Sequence, residues 1–236
     1  MIAVTFALPE ESKDLRRELR DVRHAGRSKA GPTLSGYVRG IQVVLCHTGM
    51  GQEEATRETR TLIGEHRPSL LISSGYAGAL SPSLKVGDVV FDGRDTAHKG
   101  LDSFASGCFS GRIHTHGQAL EHPDEKAALG RQTGSLAVDM ETAGIASVCA
   151  EIGVPVVGIR GISDAMDDPL PVPMAHWFDH ERQRPRPLGL MLYLAKNPRA
   201  VRPFARFVGG LPSARRAMTR AIIIFLEEFS ESRNSP

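Results

Sequence analysis

Short apolar runs at residues 2–7, 41–46, 70–73 and 154–162 alternate with stretches of helix-forming composition at 10–20, 52–66 and 139–152. Apolar runs of this length, without polar alternation, suit strands buried on both faces, and the intervening helices supply the cover. The pattern predicts an α/β chain: a mixed central β-sheet flanked by helices, with ligands gathering at the carboxyl ends of the strands. Further strands are expected at 34–39, 86–91 and 112–116, and a helical turn or two at 123–130. Pro68 ends the second helix, and Gly153 stands where a helix C-cap belongs. Residues 93–111 carry no clear element.

The composition, 41% hydrophobic and 24% charged, is that of a globular chain with a full-sized core. Three widely spaced cysteines, Cys46, Cys108 and Cys149, form neither a disulfide framework nor a paired zinc site, so a reducing cytoplasm is expected. The apolar start has no basic leader and meets Pro9, Glu10 and Glu11 at once, which reads as a first strand rather than a signal peptide. No apolar run approaches the roughly 20 residues of a membrane-spanning helix.

Net charge is +2, but Arg182 to Arg220 holds ten Lys and Arg and no Asp or Glu, a segment of +10 that leaves −8 elsewhere. The chain is therefore expected to divide into a main domain, 1–170, and a basic helical C-terminal extension, 171–236, packed on or beside it. In the extension Leu188, Met191, Leu192, Val201, Phe204 and Phe207 interleave with Arg199, Arg202 and Arg206. Such a mixture suits either an amphipathic surface on anionic lipid, peripheral at the inner membrane face, or an apolar face packed on protein with solvated arginines. The acidic body argues against specific nucleic-acid binding.

Chemistry concentrates where strands end: Thr48 to Gly51, Gly75 to Gly78 and Ser163-Asp164, with Met140-Glu141 opening a helix. Taken singly, Asp164 is as readily a helix N-cap as an acid, and Glu141 would favour the helix dipole. Gly49-Met50-Gly51 lacks the third glycine of a dinucleotide loop, and Glu53 and Glu54 would face the pyrophosphate. His114 and His116 have no accompanying ligand cluster, so no metal is expected.

In combination these segments carry a resemblance. Ala137-Val138-Asp139-Met140-Glu141-Thr142-Ala143-Gly144, then Gly153-Val154-Pro155 and Arg160-Gly161-Ile162-Ser163-Asp164, resemble the nucleoside phosphorylase and methylthioadenosine/S-adenosylhomocysteine nucleosidase superfamily. Thr48-Gly49-Met50-Gly51, Ser74-Gly75-Tyr76-Ala77-Gly78 and Leu84-Lys85-Val86-Gly87-Asp88 follow in the family's order, so residues 1–168 are covered. The resemblance implies cleavage of the N-glycosidic bond of a purine nucleoside, adenine above all. Asp164 would protonate the leaving base at N7, and Glu141 would hold the ribose hydroxyls. Met140, Gly75, Tyr76, Ala77, Gly49, Met50, Leu120 and Ser163 would line the substrate site. No metal or organic cofactor is implied, and a homodimer is.

The nucleophile stays open. The ungapped match to the family's water-activating glutamate is Ser12, with Glu10 and Glu11 just before it, and Glu11 is taken as the third catalytic candidate. At the family's phosphate-binding positions the chain reads Ser73 and Tyr76, and Arg16, Arg17, Arg23, Arg27 and Arg94 are alternative cations; phosphate is the alternative co-substrate to water. Glu125-Lys126-Ala127-Ala128-Leu129, Thr133-Gly134, Asn197-Pro198 and Arg215-Arg216-Ala217 look like the hopanoid-biosynthesis-associated phosphorylase branch, which implies phosphorolysis of adenosylhopane. A short 93–111 region would open the pocket to a bulky 5′ group. The remaining alternatives are methylthioadenosine/S-adenosylhomocysteine hydrolysis and a nucleoside-binding protein without turnover.

Overall fold

The protein is described by a computed structural model covering residues 1–93 and 108–234, with side chains to residue 231. The 93–111 reading and Arg94 fall largely outside these residues. In chain order the strands are β1 (Ile2–Phe6), β2 (Arg20–Arg27), β3 (Pro32–Val38), β4 (Ile41–His47), β5 (Leu70–Ala79), β6 (Val89–Asp92), β7 (Phe109–Ser110), β8 (Ile113–Thr115), β9 (Ala137–Asp139), β10 (Val156–Asp164), β11 (Phe178–Asp179) and β12 (Arg184–Pro185). The helices are α1 (Lys13–Glu18), α2 (Gln52–His66), α3 (Pro123–Thr133), α4 (Thr142–Ile152), α5 (Met174–Trp177), α6 (Pro187–Lys196) and α7 (Val201–Asn234).

The main sheet runs β2-β3-β4-β1-β5-β10-β6-β7, with β9 paired to β5 and β8 to β9. Its centre, β4-β1-β5-β10, is parallel, whereas β2, β3, β6 and β9 join antiparallel, giving the expected mixed sheet. Every residue of β1 and β10 is buried, which accounts for their mostly apolar character, with Arg160 of β10 a buried exception. One face packs on α7: Met218, Ile222, Phe225, Leu226 and Phe229 share a cluster with Val4, Phe6, Leu45, Ile72 and Phe91. The other face packs on α2 and α4 through Leu62, Ile63, Ile145, Val148 and Cys149.

Several boundaries differ from the sequence reading. The helix expected over 10–20 shrinks to the six residues of α1, and β2 follows it as an edge strand whose side chains are almost all exposed. Segment 74–78, read as a loop, continues β5, because Gly75 to Gly78 pair with Arg160 to Asp164 of β10, across a register shift between Ile162 and Asp164. Helix α4 starts at Thr142 rather than Asp139, and α3 runs eleven residues instead of a turn or two. Asp164 is no helix N-cap but the last residue of β10. The C-terminal segment packs on the sheet through Met218, Ala221, Ile222, Phe225, Leu226 and Phe229 of α7, which are buried in its core.

Candidate active site

The ends of β1, β4, β5, β9 and β10 bring three carboxyl groups to one edge of the sheet. Glu11 lies in the turn after β1 and is buried. Its Oε2 accepts from Leu8 N–H (2.8 Å) and its Oε1 from Tyr76 N–H (2.9 Å). Gly75 makes this possible: its φ is +151°, and a Cβ there would stand 2.9 Å from Glu11 Oε1. Burial raises the Glu11 pKa, against the backbone donors and nearby Arg160, which lower it.

Three residues along β5, Gly78 meets the second carboxyl, with a Cβ position 3.0 Å from Asp164 Oδ2. Asp164 Oδ1 accepts from Ser163 Oγ (2.6 Å), whose hydroxyl also reaches Ala77 O. Asp164 Oδ2 is in direct contact with Lys126 Nζ, which also donates to Ala165 O (3.0 Å) and Asp168 O (2.8 Å). Lys126 is fully buried, an ammonium inside the protein with three acceptors around it. A cavity of about 70 Å³ opens beside this pair, walled by Gly78, Leu120, Val138, Met140 and Leu170. Asp164 also borders a wider cleft of about 620 Å³ that reaches Phe207, Arg202 and Arg206 on α7.

The third carboxyl, Glu141, stands at the N-cap of α4. It accepts from Gly51 N–H (2.7 Å) and from Met140 N–H (3.3 Å). Burial first, then the Asp139 charge, pushes its pKa up to about 8. Behind all three sits Arg160, 1% exposed, whose guanidinium donates to Asp139 (2.6 and 2.9 Å), Ser73 Oγ (2.9 Å) and Thr142 Oγ1 (2.8 Å).

Of the sequence candidates, Glu11, Gly75, Tyr76, Ala77, Ser163 and Asp164 converge along the β5–β10 edge, and Gly49, Met50, Met140 and Glu141 along the β4–α4 edge; Leu120 walls the small cavity. Ser12 is not among them: its hydroxyl is tied to His47 Nε2 (2.8 Å) and to Pro9 O (3.0 Å). Glu10 is largely exposed and pairs with Arg215 at 2.7 Å. Arg16, Arg17, Arg23 and Arg27 are exposed and stand away from this constellation. His114 and His116 hold no ligand set; among the described residues no group of three His, Cys, Asp or Glu could hold a metal. Sequence reasoning gave no role to Arg160 or Lys126. For Arg160 a signal existed, a cation inside an otherwise apolar strand; Lys126, in a polar helical run, gave none.

The phosphorylase superfamily model matches residues 1–92 and 92–184. A 5′-methylthioadenosine/S-adenosylhomocysteine nucleosidase from Bacillus cytotoxicus is 30% identical over 198 residues, covering 69% of this chain and 85% of the relative. One of the same name from Exiguobacterium sp. is 29% identical over 202 residues, covering 71% and 86%. Among solved structures, the nucleosidase of that name from Streptococcus pneumoniae, with a transition-state inhibitor, superposes with a TM-score of 0.69 at 21% identity, covering 95% and 97% of the two chains. A futalosine hydrolase mutant from Helicobacter pylori superposes at 0.59 with 21% identity, covering 68% and 88%. On the family match, the relatives and the shared fold, this chain belongs to the phosphorylase superfamily.

Proposed function

We propose that the chain is a nucleosidase that hydrolyses the N-glycosidic bond between adenine and a 5′-substituted ribose. The observation that carries the choice of water over phosphate is the Glu11 carboxyl. It fills the space against Gly75 and takes the Tyr76 N–H, a donor that a phosphate oxygen would need. A buried carboxylate whose pKa is raised is a better base toward a bound water than an exposed one.

In this reading Glu11 takes a proton from water as the oxygen bonds to C1′. The C1′–N9 bond breaks with its electron pair moving into the purine, and the Asp164–Lys126 pair supplies the proton that N7 takes up. Glu141 accepts hydrogen bonds from the ribose hydroxyls, and its ionised form, favoured as the sugar becomes cationic, puts negative charge beside it, as carboxylates do in glycoside hydrolysis generally. Met140, Leu120, Ala77 and Gly78 form the walls against base and sugar. No metal or organic cofactor enters this scheme. The names of the relatives favour this hydrolysis over phosphorolysis of adenosylhopane. The test is adenine release from 5′-methylthioadenosine with and without phosphate. Release independent of phosphate, and lost in Glu11→Gln, supports hydrolysis; release that requires phosphate overturns it, and no release at all would favour a binding protein.

A second observation bears on location. Leu188, Met191, Leu192, Val201 and Val208 are exposed large apolar side chains on α6 and the start of α7, amid the exposed Arg186, Lys196, Arg199, Arg202 and Arg206. No helix among the described residues is long and apolar enough to cross a membrane, but this face suits peripheral contact with an anionic lipid surface. Deleting the segment would remove core residues of α7, so the test is Leu188→Ser with Met191→Ser and Leu192→Ser, scored by sedimentation with anionic vesicles. Unchanged sedimentation would sink the idea. A homodimer is proposed on family resemblance alone, and sedimentation equilibrium tests it.

A further inference from the structure

The segment after the site, which bears no recognised motif, reaches back to it through one side chain. Strands β11 and β12 form a two-stranded hairpin whose turn contains Gln183. That glutamine takes the left-handed conformation, φ 50°, and is buried, although its neighbours Arg182 and Arg184 are exposed. Its Oε1 accepts from Met50 N–H at 2.6 Å, and its Nε2 donates to Met50 O at 3.1 Å and to His180 O at 2.8 Å. One amide thus holds both backbone groups of Met50. The next residue, Gly51, donates its N–H to Glu141. The chain of contacts runs from hairpin to loop to carboxyl, with no atom of Gln183 touching Glu141.

We propose that Gln183 is a positioning residue: it fixes the 49–51 loop so that Gly51 N–H aims Glu141 at the ribose hydroxyls. The inference rests on the role given to Glu141 above. A residue in a strained conformation, whose side-chain amide ties the 49–51 loop to its own turn, is held there by those bonds. A ribose-binding carboxylate mispositioned by a fraction of an ångström loses much of its advantage, and a displacement of about 1 Å can cost on the order of 100-fold.

The readout is the ratio of kcat/KM for 5′-methylthioadenosine to that for its 2′-deoxy analogue, which lacks one hydroxyl that Glu141 would hold. The ratio is independent of the fraction of folded protein, so a variant that merely folds poorly leaves it unchanged. Gln183→Ala is expected to lower this ratio about tenfold. Gln183→Glu keeps an acceptor for Met50 N–H but cannot donate to Met50 O, and should fall between. A ratio equal to the native one in both variants overturns the proposal. Inactivity of the native protein on both substrates would instead overturn the function assigned to the site, which separates the two failures.

Discussion

Lys126 offers the sharpest test of how the site is held together. Its ammonium is fully buried and touches Asp164 and two carbonyls of the loop after β10. Removing one partner of a buried ion pair costs about 3–5 kcal/mol, because the other charge is left without compensation. Each orphaned carbonyl adds about 1 kcal/mol at the low end of its range. Lys126→Met should therefore cost about 5 kcal/mol, a large part of the 5–15 kcal/mol typical of a domain. Asp164→Asn leaves the ammonium with its two carbonyls but without a counter-charge, at a cost of about 3 kcal/mol. The double variant should cost less than the sum by about 2 kcal/mol or more, since the second change removes a charge already stranded by the first. Urea unfolding of the four proteins at one pH supplies the cycle, provided their m-values agree. A Lys126→Met cost below about 1 kcal/mol, or additivity within about 0.5 kcal/mol, would refute the claim that this pair carries the loop.

Three other outcomes follow from the same geometry. Glu11→Gln should reduce adenine release by about 100- to 10,000-fold while leaving adenine binding by calorimetry intact; equal loss of both would make Glu11 structural. Glu141 is raised from an ordinary 4.5 to about 8 by burial and Asp139, so its contribution to stability is complete below the unfolded value and is lost as pH rises through about 8. The Tm should accordingly fall between about pH 5 and 9, and Glu141→Gln should flatten that fall; an unaltered slope would count against it. Gly75→Ala puts a methyl 2.9 Å from Glu11 Oε1 at a φ of +151°, and should cost about 1–3 kcal/mol together with most of the turnover; full activity would mean that the Glu11 position is not needed.

The strands that determine the fold were legible because burial on both faces keeps them mostly apolar, as in β1 and in Val156 to Ile159 of β10. Strand β2 was not, since an exposed edge strand of arginine, aspartate and histidine has no hydrophobic period, and only pairing with β3 makes it a strand. The end of β5 hid for another reason. Glycines that look like a turn are here the places where side chains of neighbouring elements come close, Glu11 at Gly75 and Asp164 at Gly78. The excess positive charge of 182–220 drew attention to the surface of the C-terminal segment, yet Met218 to Phe229 of the same helix complete the core. Motif resemblance supplied Glu141 and Asp164, whereas Arg160 and Lys126 acquire meaning only through contacts across the sheet, between residues 21 and 38 positions apart.

Those contacts also explain why the site is poised rather than merely crowded. Glu11, Asp139 and Glu141 lie near a single buried guanidinium, and Asp139 alone of the three accepts from it, at 2.6 and 2.9 Å. Burial raises the pKa of both Glu11 and Glu141, and the nearby Arg160, engaged by Asp139, lowers them without cancelling that rise. A neutral nucleoside gains little from such a site in its ground state. In the hydrolysis proposed above, a ribose that becomes positively charged as adenine departs would favour the ionised forms of Glu11 and Glu141. The interaction therefore grows along the reaction coordinate, and a favourable contact that appears only there lowers the barrier rather than deepening the ground-state well. Replacing Asp139 by Asn would free Arg160 to serve Glu11 and Glu141 beforehand, weakening their response to the emerging cation although every catalytic carboxyl remained in place.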